Sequence, residues 1–115
     1  MPVPIVFFDI SGPNVEELQR FYAQVFEWPC ESGGTFVPGN AANLDGFLRE
    51  DPADKVIYLG VPDVTTTLAA VERAGGTIEV PRFETPGVAV IGLFLDPAGN
   101  RMGLVEMNGD TPVIP

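Results

Sequence analysis

Histidine is absent from this 115-residue chain, cysteine occurs once, and basic side chains number 6 against 16 acidic ones. Each shortage removes a class of chemistry. Without histidine no Ser-His-Asp or Cys-His nucleophile can be assembled. The zinc, nickel and iron sites in which imidazole nitrogen is prominent also lose their usual donor. Cys30 alone allows neither an internal disulfide nor a cysteine cluster, which suits a reducing compartment. With no histidine to activate it, that thiol reads as a small buried hydrophobe. The formal charge of −10 repels phosphate backbones and anionic lipid while drawing in cationic small molecules, so no nucleic acid partner is expected. Glycine forms neither a P-loop nor a G-x-G-x-x-G phosphate loop. No stretch approaches the roughly 18 uninterrupted apolar residues of a membrane span, and Met1 to Ile10 lacks the basic region and long apolar run of a secretory signal. The expectation is a cytoplasmic protein with no membrane partner.

What is present suffices for a core. With 45% hydrophobic and 10% aromatic residues, residues 1–115 fit a single domain that folds without disulfide or structural metal. Val3 to Ile10 is apolar and β-branched, predicting a strand that Ser11-Gly12-Pro13-Asn14 punctuates. Asn14 is a good N-cap, Glu16 and Glu17 suit a first turn, and Val15, Leu18, Phe21, Tyr22 and Val25 recur at helical spacing. A helix burying one face is therefore predicted. Short strands follow near Trp28 to Glu31, Thr35 to Val37 and Leu44 to Glu50, separated by Gly33-Gly34 and Pro38-Gly39-Asn40.

The plan then repeats. Glu50 to Lys55 reads as a polar linker, Val56 to Val61 as a strand, and Asp63 as the N-cap of a helix striped by Val64, Leu68 and Val71 and ended by Gly75-Gly76. Thr77 to Phe83, Val88 to Leu95 and Arg101 to Met107 supply three more strands, the last two joined by Asp96-Pro97-Ala98-Gly99-Asn100. Two tandem β-α-β-β-β modules result, at about 3–50 and 55–107, in an α+β fold. A ferredoxin-like sandwich with fewer strands is the competing architecture.

Successive strand residues point to opposite faces, so parity locates a site. If Val6, Phe8 and Ile10 pack beneath the first helix, Ile5, Phe7 and Asp9 face the other way; the repeat pairs Phe7 with Tyr58, and Arg101, Gly103 and Val105 join this second face. Phe7, Asp9, Tyr58 and Arg101 are thus the candidate ligand-binding residues, a few polar groups among apolar walls. Each has a plainer role open to it: a salt bridge for Asp9 and Arg101, core packing for Tyr58. Glu79 and Glu84, with Asp9, are further carboxylates able to act as a general base if buried.

Arg20-Phe21-Tyr22 with Val25-Phe26-Glu27-Trp28, then Ala74-Gly75-Gly76, then Asp96-Pro97-Ala98-Gly99-Asn100 ahead of Gly103-Leu104-Val105-Glu106 together resemble the vicinal oxygen chelate superfamily. This group includes glyoxalase I, bleomycin resistance proteins and extradiol dioxygenases, and the resemblance spans nearly the whole chain. It implies paired modules forming a curved mixed sheet around a cavity, often within a homodimer. It also implies, for the enzymes, one divalent metal held by histidine and glutamate at the opening and closing strands of each half. Those positions fall near Phe7, Val56 and Gly103 and within Leu44 to Glu50, where Asp45 or Glu50 alone supplies a carboxylate. No metal or other cofactor is therefore expected. The resemblance implies a binding protein that captures a cationic or aromatic compound such as an antibiotic. Two rivals stay open: an enzyme of the same superfamily, a lyase, isomerase or dioxygenase with an atypical site, and a diverged module serving only to contact protein.

Overall fold

The computed structural model describes residues 2–28, 35–37 and 44–115. They form two compact units, Val6–Val56 and Ile57–Pro115 with Met1–Ile5.

In the first unit the elements are β1 (Ile5–Gly12), α1 (Val15–Phe26), β2 (Thr35–Val37) and β3 (Asp45–Glu50). β1 and β3 run parallel, which requires a crossover, and α1 provides it; β2 adds to β3 antiparallel. The Asn14 side chain accepts from Glu17 N at 3.2 Å, and Glu16 and Glu17 lie in the first turn as the helix dipole favours. The helix stops where Glu27 turns left-handed at φ 58°, with Glu27 N donating to Ala23 O and Trp28 N to Tyr22 O. The buried face predicted for α1 is only partly formed. Leu18 meets Gly12 and Tyr22 stacks on Trp28 at 4.7 Å, while Phe21, Val25 and Phe26 are over half exposed and no α1 residue is fully buried. Its apolar stripe is wider than the Leu18/Tyr22 ridge that the sheet side engages. Of the strand expected near Trp28 to Glu31, Trp28 is irregular and the rest lies outside the described residues, as does Cys30.

The second unit contains β4 (Asp54–Val61) from Ile57 onward, α2 (Val64–Arg73), β5 (Thr77–Thr85), β6 (Ala89–Leu95), β7 (Arg101–Asn108) and a short β8 (Thr111–Pro112). Its strand order is β4-β7-β6-β5, with β4 and β7 parallel, the other pairs antiparallel, and β8 on β7. This is the β-α-β-β-β plan in full, which removes the ferredoxin-like alternative. β8, only two residues of Thr-Pro, carries no strand signal in the sequence. The Asp63 side chain caps α2 by accepting from Thr66 N, and Gly75 takes φ 101° at the far end. Val61, Val64, Leu68, Phe94 and Leu104 form the core under α2, joined by Leu59, Val71, Ile78 and Met102. Gly92 lets the helix approach: a Cβ there would come 2.8 Å from Val64 Cγ1. In the 96–100 turn, the Asp96 carboxylate accepts from Asn100 Nδ2 at 2.8 Å and from the backbone of Asn100 and Ala98 at 2.9 Å. The Asn100 side chain, then the backbone donors, hold its pKa below the ordinary value.

The predicted linker is largely structured. Ser11 Oγ donates to Pro52 O at 2.8 Å, Asp51 N donates to Gly12 O at 3.0 Å, and β4 already begins at Asp54. Polar composition marked a connection, but the backbone partners at the end of β1 order it.

Candidate functional site: the β1–β3 face

In register, Phe7 pairs with Asp45, Phe8 with Gly46, Asp9 with Phe47, Ile10 with Leu48 and Ser11 with Arg49. Phe8, whose ring covers Gly46 and meets Trp28 at 5.8 Å, belongs to the α1 face, as do Gly12 beneath Leu18 and Glu50, whose Oε1 lies 3.5 Å from Val15 N. Phe7, Asp9, Phe47 and Arg49 therefore share the opposite face. Phe7 and Phe47 meet edge to face, with centroids 5.5 Å apart and planes at 73°. Beside them Arg49 Nε donates to both oxygens of the Asp9 carboxylate, at 2.9 and 3.3 Å, while Nη1 donates to Asp51. The side chain of Asp9 is 10% exposed and that of Arg49 44%, so the carboxylate is fixed in the sheet and the guanidinium lies over it from the solvent side.

Burial pushes the Asp9 carboxyl above its ordinary pKa of 3.8; Arg49 pulls the other way by charge and hydrogen bond, and Asp51 and Asp54 add repulsion to the burial. For Arg49, burial opposes the charged form but the bonds to Asp51 and Asp9 outweigh it, and its pKa is raised. A carboxyl raised on folding binds more protons folded than unfolded, so its contribution to stability is full below 3.8 and is lost as pH rises through the folded value. Urea titrations of the protein and of Asp9→Asn should therefore converge, or cross in favour of the variant, as pH is raised from about 4 to 7. A gap that widens instead would mean Arg49 holds the carboxyl down.

No protein-family model matches the chain, and no curated protein matches its sequence. Solved structures match in shape. A hypothetical protein from Bacillus halodurans C-125 superposes with TM-score 0.73 at 11% identity, over 94% of this chain and 96% of that one. A member of the glyoxalase/bleomycin resistance protein/dioxygenase superfamily from Vibrio splendidus 12B01 gives 0.66 at 12%, over 92% and 100%. Methylmalonyl-CoA epimerase in complex with methylmalonyl-CoA and NH4+ gives 0.67 at 13%, over 100% of both chains. This is the glyoxalase/bleomycin resistance protein/dioxygenase fold.

Identities this low establish the fold alone, so the site is judged on this chain's own residues. The metal expected of glyoxalase-type enzymes does not fit them. Register sets Phe7 beside Asp45 and Tyr58 beside Gly103, so Tyr58, two residues beyond Val56, occupies the place equivalent to Phe7. Phenylalanine and glycine offer no donor, Glu50 is turned to the α1 face, and among the described residues no group of three or more His, Cys, Asp or Glu side chains gathers. The Tyr58 ring instead lies over Gly103, where a Cβ would come within 2.3 Å of it. Arg101 is joined to Glu79, Nε to Oε1 at 2.8 Å and Nη2 to Oε2 at 3.1 Å, and Glu84 lies 3.5 Å from Arg82. Of the four residues singled out by parity, Phe7 and Asp9 stand together in the first unit. Tyr58 and Arg101 belong to the second, each with a structural partner. An open depression on the solvent side of α1, lined by Glu16, Gln19, Arg20 and Ala23, includes none of them.

Arg49 is the residue sequence reasoning missed. The signal was available: Phe47, Arg49 and Asp51 alternate as Phe7, Asp9 and Ser11 do, and parallel pairing of the opening and closing strands puts both series on one face. An arginine inside a half-buried strand calls for a carboxylate partner.

Proposed function

We propose that the protein binds a small cationic, partly aromatic compound, an antibiotic being the most concrete case, against the β1–β3 face without a metal. The observation that carries this reading is the juxtaposition of the Phe7–Phe47 pair with the buried Asp9, in a patch where, among the described residues, Asp9, Asp51 and the nearby Asp54 outnumber Arg49. Ring faces attract cations, and carboxylates in excess give the site a net negative field that the chain charge of −10 reinforces. The polyanionic tail of an acyl-CoA, the ligand class of methylmalonyl-CoA epimerase, is electrostatically disfavoured here.

Untagged protein, free of added histidines, should melt at higher temperature with cationic aromatic drugs such as bleomycin and not with divalent metals. Phe7→Ala should weaken drug binding about tenfold, or ~1.4 kcal/mol, while costing less than that in stability, since Phe7 is only half-buried. Equal losses would make Phe7 a packing residue, and stabilisation by micromolar metal would overturn the reading.

A second reading, a lyase or isomerase that uses a carboxylate base, is favoured by the raised pKa of Asp9. Turnover that Asp9→Asn abolishes would establish it; stoichiometric capture without turnover supports the first.

A further inference from the structure

The Asp9–Arg49–Asp51 arrangement is asymmetric. Asp9 is fixed in a strand and nearly buried, whereas the side chains of Arg49 and Asp51 are 44% and 50% exposed. Separating Arg49 from Asp9 leaves a desolvated carboxylate without a counter-charge, which is costly unless another cation arrives. Arg49 itself loses little on leaving, because its guanidinium already reaches water. The site therefore already holds a cation, supplied by the chain, at the place the ligand's charge has to reach.

We infer that Arg49 is an internal counter-ion which a ligand must displace from Asp9, and that the site accordingly selects planar, delocalised cations of the amidinium or guanidinium type. This deepens the function proposed above and rests on it. The selectivity follows from what the two carboxylates hold: one guanidinium, with Nε on both Asp9 oxygens and Nη1 on Asp51. A planar fork reproduces that bonding, whereas an ammonium is a point charge that cannot place donors on both groups in one plane. The Phe7–Phe47 pair lies along the same two strands, so aromatic surface adjoins the place of the ring that carries such a cation.

The test uses benzamidine and benzylamine as matched probes, with calorimetric titration of the full chain and of Arg49→Gln and Arg49→Lys. Benzamidine should bind the wild-type protein more tightly than benzylamine. Arg49→Gln, lacking the competitor, should bind benzamidine at least about tenfold more tightly than wild type. Arg49→Lys keeps the charge but not the fork, and should gain a smaller amount; it also serves if Arg49→Gln fails to fold. A residue with a merely structural role would lower affinity when replaced. Binding by wild type that is unchanged or weakened in the folded variants overturns the exchange. Equal affinity of wild type for the two probes overturns the selectivity. Absence of binding to wild type and variants alike removes the underlying site as well.

Discussion

Gly103→Ala should cost about 2–3 kcal/mol of stability, as strained insertions into packed regions do. The added Cβ would fall 2.3 Å from Tyr58 Cδ2 and Cε2, far inside van der Waals contact. Tyr58 has little room to withdraw: it is buried on β4, and Tyr58 and Gly103 are register partners in the parallel β4–β7 pair. Urea denaturation of Gly103→Ala, Tyr58→Ala and the double variant would form a cycle in which the double variant recovers part of the loss. Simple additivity would show that the strain lies in the backbone of β7. Because the same contact fills the place where a glyoxalase-type metal ligand was sought, a carboxylate put at position 103 would meet the ring before it met an ion.

Leu104→Ala, one residue on and pointing to the other face, is expected to lose about 2–5 kcal/mol. Leu104 is 1% exposed and packs with Val61, Val64, Leu68 and Phe94 beneath α2. Truncation leaves a cavity bounded by a helix and by strands on either side, which can collapse only partly. Against a total stability of about 5–15 kcal/mol for an ordinary domain, that loss would move the urea midpoint strongly. Phe21→Ser on the exposed side of α1 gives the control, with a change within about 0.5 kcal/mol. Comparable losses from the two variants would mean that the outer face of α1 is covered in solution.

Much of this architecture was legible because local signals agreed with one another. Asn14 and Asp63 each stood before a helical stripe, and each accepts the backbone N–H three residues on. Gly75 and the Asp96-Pro97-Ala98-Gly99-Asn100 turn needed positive φ where glycine was available, and Gly75 and Gly99 supply it. Strand parity placed Phe7 and Asp9 on one face by simple alternation. Periodicity reads which residues are apolar and cannot say how many of them a neighbour will reach, hence the overstated burial of α1. Partner choice was equally hidden: that Asp9 meets Arg49, 40 positions away, depends on the parallel register of β1 and β3, and that Arg101 meets Glu79 depends on which strands flank β7. Composition alone makes Glu50 to Lys55 a linker, whereas Ser11 Oγ and Gly12 O at the end of β1 give it structure.

The stacking of Trp28 on Tyr22 at the end of α1 has a spectroscopic use, since Trp28 is the only tryptophan in the chain. Its emission originates in the Val6–Val56 unit, against a tyrosine ring and close to Phe8. Unfolding followed by tryptophan fluorescence is therefore a local reading of that unit, while circular dichroism averages over both. Superimposable curves from the two would show the units melting as one; separated curves would assign each step to its half of the molecule without a single substitution.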